Sequence, residues 1–316
     1  MSTLSFDLGG THLRCGVAYG NEIANVSVHK VSNFISGLKP GEVAEGVAER
    51  IAAYAADHGK AITLDAPIAV AFPGPVRSGN TALSAPTLYG PACGQIPDLA
   101  ALVRRRTGRS VYMLNDVSAT AWALSRRTNV SRFMVVTVSS GIGSKVFDRD
   151  NRQGVLDSGS FAGEIGHYVV DDDPNAPLCD CGGRGHLGAI ASGRGVERAL
   201  RRESGIATLD NYLHIVPAIQ RGENWALAAL RSSIEPLART LLAVTMAVGL
   251  ERIFIVGGFA QNIGAPYAQI LNETLVAQLR YPLAERELAA LAQVVGLDEE
   301  LGLLGAAYYA STAGES

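Results

Sequence analysis

GEIGHYVVDDDPNAPLCDCGGRGHLGAIASG, residues 163–193, holds the densest chemistry in this 316-residue chain. His167, Cys179, Cys181 and His186 supply two imidazoles and two thiols within twenty residues. Nitrogen and sulfur donors suit zinc, and four protein ligands close a tetrahedral site of the structural kind, since catalytic zinc keeps one position open. The bland alternative is a pair of incidental thiols on a glycine-rich loop. It is the weaker reading, because the chain has four cysteines and two of them stand here, one residue apart. The others, Cys15 and Cys93, lie far from the pair and from each other, which is no disulfide framework.

Working outward, the length exceeds what one core serves, and two domains are expected. A chain that is 47% apolar and 18% charged is of ordinary globular composition. The net charge of −3, with Lys and Arg scattered, creates no field for nucleic acid or an anionic membrane. Arg104, Arg105 and Arg106 read as a solvated helix end, and Arg201 and Arg202 as the wet face of another helix. The longest apolar candidate, 241–250, is too short to span a bilayer and reads as a buried helix. No secretory leader is visible before the first strand, so the expected compartment is the cytoplasm, with neither nucleic acid nor membrane as partner.

Periodicity gives the organisation. Thr3 to Asp7 is a short apolar strand, Leu8 to Thr11 a turn, and Leu13, Cys15 and Val17 alternate as the second arm of a hairpin. A helix follows from Glu42 to His58, closed by Gly59, and then a buried strand over 67–72 that ends in the rigid Pro73-Gly74-Pro75. A strand over 110–114 ends at Asn115-Asp116, before an alanine-rich helix from Val117 to about Arg127. The pattern then restarts with a strand over 133–139, a turn over 140–144, and a strand from Lys145 to Phe147. Later come a long helix over 234–250, a strand over 252–256, a Gly257-Gly258 turn, a helix over 264–279, and a small-residue helix over 301–310 with a fraying tail over 311–316.

Glycine turns after strands let backbone N–H groups converge on an anion. Asp7-Leu-Gly-Gly-Thr11 and Ser140-Gly-Ile-Gly-Ser144 occupy equivalent places in the two halves, which suggests a polyphosphate. No Walker-type loop is present. Asn115 or Asp116 suits a helix cap, while Asp116 also suits a general base for a substrate hydroxyl. Position alone favours the cap.

These motifs, with Glu164-x-x-His167, Cys179-x-Cys181-Gly-x-x-Gly185-His186 and Val256-Gly257-Gly258, resemble in type and order the ROK family of repressors, uncharacterised frames and sugar kinases. The likeness extends to Gly302-Leu-Leu-Gly305 and is greatest to the sugar kinases of the glucokinase type. It implies an α/β, actin-like ATPase (ribonuclease-H-like) fold with two domains around a central cleft. Residues 1–116 would form a smaller domain, completed by the C-terminal helix at about 300–316, and 117–299 a larger one carrying the zinc loop. By the same resemblance Gly9, Gly10, Thr11, Gly141 and Gly143 would face the phosphates of ATP, and Gly257 and Gly258 would pass beneath the adenosine. Gly74, Asn115, Glu164 and His167 would contact the substrate, with Asp116 the catalytic base. His167, Cys179, Cys181 and His186 would hold a structural zinc, and magnesium would accompany ATP. A homodimer is expected on the same ground.

The sequence departs from the family's pattern at four places. His186 stands where a third cysteine is usual, Gly188 where a glutamate grips sugar hydroxyls, Thr87 where asparagine is common, and Ser139-Ser140 where Gly-Thr is usual. Losing the carboxylate at 188 removes an acceptor and leaves room, so the expected substrate of the kinase is an amino sugar or a cyclitol rather than plain glucose, phosphorylated on a primary hydroxyl. The alternatives are a catalytically idle sugar sensor of the same fold and a sugar-responsive repressor. Six residues ahead of Asp7 leave no room for a helix-turn-helix, and the retained Asp116 argues against the sensor. Hydrolysis at the metal is disfavoured, since four ligands leave no open position.

Overall fold

The computed structural model describes residues 2–59, 62–63, 65–77, 80–90, 93–159, 161–279, 285–296 and 298–314. The chain divides into two compact units, Met1–Asn129 with Ser158–Ser160 and Asp298–Ser316, and Val130–Asp157 with Phe161–Leu297. In the first unit β1 (Ser2–Leu8) and β2 (His12–Tyr19) pair antiparallel as the expected hairpin, with Cys15 buried in the core. A third strand, β3 (Glu22–Lys30), continues the meander after the Gly20 turn. The sequence reading has no strand there, because β3 lies at the sheet edge and buries none of its residues fully.

Helix α1 (Pro40–His58) starts two residues before the expected Glu42, because Pro40 takes the first helical position and the Glu42 carboxylate accepts the Lys39 N–H at 2.7 Å. β4 (Ile68–Phe72) is buried throughout and lies parallel to β1. A two-residue ribbon, β5 (Val76–Arg77) with β6 (Thr81–Ala82), and helices α2 (Pro86–Tyr89) and α3 (Leu99–Thr107) lead to β7 (Val111–Asn115). The sheet order is β3-β2-β1-β4-β7. Leu4, Phe6, Val47, Ile51, Ile68, Val70 and Phe72 form much of its core, each contributing about 1.5–3 kcal/mol of hydrophobic stabilisation.

Helix α4 (Asp116–Arg127) follows β7 without a break. It packs on the last helix, α12 (Leu301–Ala313), which also seats on β1, where Ser5 Oγ donates to the Leu303 carbonyl at 2.5 Å. The first unit therefore runs to Asn129, beyond the expected boundary at 116, because α4 is held by α12. The expected fraying at Ser311 is overturned for the same helix: Ser311 and Thr312 are helical and both hydroxyls donate to the Tyr308 carbonyl. Glu315 and Ser316 lie outside the described residues.

The second unit repeats the opening. β8 (Arg132–Val138) and β9 (Ile142–Asp148) pair antiparallel, β10 (Arg252–Val256) adds parallel to β8, and β11 (Ala292–Val294) parallel to β10. Phe133 stacks on Phe147 at 5.1 Å and meets Phe254 edge-on at 5.2 Å, fixing three of the strands on one face. Helices α5 (Leu187–Ala191), α6 (Gly193–Ser204), α7 (Val216–Gln220), α8 (Asn224–Val248), α9 (Gly258–Ile263), α10 (Ala265–Gln278) and α11 (Glu285–Leu288) complete it. α8 starts well before the expected Ile234 and runs through Pro236, whose missing N–H does not end the helix. Among the described residues no helix is long and apolar enough to cross a membrane.

A side chain at Gly305 would overlap the Ala119 carbonyl oxygen, so α12 approaches α4 at glycine distance. Gly305→Ala is expected to destabilise the chain by about 3 kcal/mol, read from the urea midpoint at unchanged slope.

Candidate active site and metal centre

The strand-to-helix junction at the end of β7 assigns the cap and frees the acid. Asn115 Oδ1 accepts the N–H groups of Val117 at 3.0 Å and Ser118 at 3.2 Å, which makes Asn115 the N-cap of α4. Its Nδ2 donates to the Gly74 carbonyl at 3.0 Å and to Asp116 Oδ1 at 2.8 Å. Asp116 Oδ1 also accepts the Val117 N–H at 2.9 Å, and Oδ2 has no protein partner among the described residues. Desolvation above all, and then the charge of Asp7, push the Asp116 carboxyl up to about 6, against the opposing pull of its hydrogen bonds.

Asp7, near the end of β1, is quoted in the first glycine motif without a role, and its charge acts on Asp116. Desolvation raises its pKa as well, opposed by the Arg14 guanidinium 3.7 Å away. The signal available was a carboxylate near the end of a buried strand, one residue before two glycines.

The first glycine turn is tied down on both sides. Gly9 N–H donates to the His12 carbonyl at 2.8 Å, Asn33 Nδ2 to the Gly10 carbonyl at 2.7 Å, and Val31 N–H to the Thr11 carbonyl at 2.9 Å. Thr11 is exposed, its hydroxyl 2.9 Å from His12 Nδ1. A Cβ built on Gly10 would stand 3.0 Å from the Cβ of Thr87, so the threonine noted as a departure lies directly against this turn.

In the second unit the turn is tighter than the sequence suggests. Ile142 already belongs to β9, so Gly143 pairs with Thr137 inside the ladder and only Ser139, Ser140 and Gly141 form the turn. Two other glycine sites lie against this turn and the end of β8. Gly193 N–H donates to the Ser139 carbonyl at 2.8 Å, and Gly257, at φ +96°, leaves no space for a side chain against Thr137 and Val138. Gly258 opens α9 close to the Tyr212 hydroxyl.

The four candidate metal ligands converge. One donor atom from each of His167, Cys179, Cys181 and His186 lies within 4.8 Å of every other. Cys179 Sγ is 3.8 Å from His167 Nδ1, and Cys181 Sγ is 3.3 Å from His186 Nδ1. Zinc bonds of ordinary length place tetrahedral donors about 3.3–3.8 Å apart, so the set fits such an ion after a small contraction. Partial burial, with Cys181 and Asp180 adding to it, raises the Cys179 thiol in the metal-free chain. Glu164 lies 4.0 Å from His167 Nε2, on the same short helical turn.

That turn is gripped from β9 by a residue the sequence reading passes over. Lys145, 5% exposed, donates from Nζ to Asp157 Oδ1 at 2.9 Å and to the Ala162 carbonyl at 2.8 Å. Ser144 adds its N–H and its hydroxyl to the Gly163 carbonyl, each at 3.0 Å. A lysine beside the apolar pair Val146-Phe147 in a strand was the available signal, since lysine is rarely buried unpaired.

The ROK family model matches residues 3–313. The chain belongs to the ROK family. It is 33% identical to a C(7)-cyclitol 7-kinase of Streptomyces hygroscopicus subsp. jinggangensis, across 95% of this chain and 91% of that one. It is 28% identical to an N-acetylmannosamine kinase of Haemophilus influenzae, across 98% and 95%. Among solved structures it resembles a ROK hexokinase of Thermus thermophilus, with a TM-score of 0.77, 26% identity, and coverage of 100% and 99%. The architecture is that of the ROK sugar kinases, the actin-like ATPase fold.

Against the ROK pattern, His186 stands among the converging donors in place of a cysteine. At Gly188 a Cβ would already stand 3.1 Å from the Gly166 carbonyl, so the loop carrying His167 packs close over the missing side chain. Lys145→Met is expected to cost about 2–3 kcal/mol, because it strands Asp157 without its cation, although part of that charge is solvated. Urea denaturation checks this, and the double variant Lys145→Met/Asp157→Leu should regain part of the loss.

Proposed function

We propose that this ROK protein is an ATP-dependent kinase that transfers the γ-phosphate to a primary hydroxyl of a sugar or cyclitol, with Asp116 as general base. The observation that carries the reading is the division of labour at the end of β7. Asn115 takes over the capping of α4, and Asp116 keeps an unbonded oxygen and a raised pKa of about 6. A carboxylate so held is mostly ionised at neutral pH yet more basic than an ordinary aspartate, which suits proton removal from an attacking hydroxyl. Phosphoryl transfer otherwise depends on positioning and charge stabilisation, and glycine turns supply backbone donors for that. In this reading Gly9, Gly10, Thr11 and Gly141 serve the phosphates, with Gly143 behind the turn in the β8–β9 ladder, and Gly257 and Gly258 the adenosine. Gly74, Asn115, Glu164 and His167 serve the acceptor sugar.

Magnesium, when bound with the nucleotide, neutralises charge on the phosphates, and Asp7 is a hard oxygen donor of the kind that holds it. A structural zinc on His167, Cys179, Cys181 and His186 would fix the imidazole of His167, and with it the nearby Glu164. The relatives named above act on a cyclitol and on an acylated amino sugar, which supports a substrate other than plain glucose. A catalytically idle sensor has no use for a carboxylate released from its capping duty. The reading also carries a homodimeric, cytoplasmic protein, with the dimer open to sedimentation measurements.

ADP release from ATP and magnesium should be rapid with a cyclitol or N-acetylmannosamine and slow with glucose. Absence of turnover with every sugar and cyclitol, in metal-loaded protein that binds ATP, returns the sensor reading. Asp116→Asn should lower kcat roughly 10²–10⁴-fold, with sugar affinity by calorimetry nearly intact. In the wild type kcat/KM should rise with pH through an acidic limb near 6 set by Asp116, whose pKa the neighbouring Asp7 helps to raise. The stability effect has the opposite sign. The folded pKa lies above the ordinary 3.8, so the folded state loses stability as pH rises from about 4 to above 6. Asp116→Asn should therefore gain Tm on the wild type across that interval.

Purified protein should carry one zinc per chain by elemental analysis. His186→Ala should lose most of it, while His186→Cys retains it.

A further inference from the structure

The second unit holds a cavity of about 140 Å³, lined by Gly141, His167, Asp180, Gly188, Arg194 and Arg198 together with other residues. Its charge is unbalanced. Asp180 accepts from Arg194 Nη1 and, at 3.0 Å, from Arg198 Nη2, so a single carboxylate faces two guanidiniums. Arg198 Nη1 also donates to the Leu178 carbonyl at 3.3 Å. Five N–H donors sit on each guanidinium, and among the described residues the remaining nitrogens of Arg194 have no protein acceptor. The other polar side chains lining the cavity beside the metal ligands are hydroxyls, and that of Ser192 already accepts the Gly195 N–H at 3.1 Å. No acceptor comes from position 188, where the residue is glycine. The wall is therefore rich in donors, poor in acceptors and positively charged.

We infer that this cavity receives the end of the substrate that carries a carbonyl oxygen, a ring ketone or the amide of an acylated amino sugar, and that it rejects a free amine. The inference rests on the kinase reading and refines it: Arg194 is a specificity residue that supplies the donor. A carbonyl accepts from the free guanidinium N–H groups without proton transfer. An ammonium would meet two like charges and find only a carboxylate already shared between them. His167 and Gly188 on the same wall tie the cavity to the acceptor sugar. Gly141 borders it as well, so a phosphate oxygen is the other source of the same acceptor chemistry.

Calorimetry without nucleotide at pH 7 tests the assignment directly. N-acetylmannosamine should bind about tenfold or more tightly than mannosamine, and scyllo-inosose than scyllo-inositol, as one charge-assisted hydrogen bond allows. Arg194→Met should abolish the preference within each pair, and Arg194→Lys should keep the discrimination against the amine. The residue is 44% exposed near the start of α6, so the variants should fold, and a thermal melt checks that they do. Equal affinities within the pairs, no binding of any of the four, or a preference that survives in Arg194→Met would each overturn the proposal. So would weakened binding of a non-hydrolysable ATP analogue to Arg194→Met with the pairwise preference intact, which would assign the arginine to the nucleotide. ADP release with any acceptor is scored separately, so loss of the kinase reading and loss of this one are distinguishable.

Discussion

The side-chain amide of Asn115 makes four hydrogen bonds, and the chemistry proposed for the first unit depends on them. Two close the open amino end of α4, one holds the Gly74 carbonyl, and one holds an oxygen of Asp116. A strand, a helix and a rigid proline-flanked loop are thereby fixed to one planar group that itself carries no charge. The arrangement leaves the neighbouring carboxylate partly desolvated and beside Asp7, so its proton is held more tightly than that of a surface aspartate. Capping is worth roughly 1 kcal/mol. Its larger effect here is to release Asp116 from being the cap.

The second unit solves a different problem, that of holding an irregular loop still. The stretch from 161 to 167 has little regular hydrogen bonding of its own, and it is held by the edge of β9 through Lys145 and Ser144. Downstream, the convergence of two thiols and two imidazoles gives it a second anchor. Glu164 and His167 sit close to both. A polar contact inside a protein is strong when fully satisfied, and here the buried ammonium has a carboxylate and a carbonyl to satisfy it.

Legibility in the sequence followed how local each signal was. The hairpin at the start, its echo after Phe133, and the His/Cys cluster were readable because alternation, glycine turns and ligand spacing are written within a few consecutive residues. The edge strand β3 was not, since a strand that buries little leaves little pattern. Nor was the effect of Asp7 on Asp116, which arises between the ends of two strands that flank β4 and lie about a hundred residues apart in sequence. At Asn115-Asp116 position alone favoured a cap without saying which residue supplies it, because both side chains suit that task, and the geometry gives it to Asn115. Lys145 was legible in principle as a charge next to the apolar Val146 and Phe147 of a strand.

The placement of α12 carries a consequence for biosynthesis. This helix belongs to the unit that begins the chain: its Leu303 carbonyl receives the Ser5 hydroxyl, and its Gly302 stands against the Asp7 carboxylate. The second unit is nearly continuous in sequence and has its own core, so it has all its strands before α12 is translated. The first sheet must wait, partly uncovered, for a helix translated after the second unit. The carboxylate of Asp7 would then acquire its close neighbour Gly302 only after the whole second unit has been made, so a ribosome stalled before α12 would display a folded second unit and a first sheet still open to water.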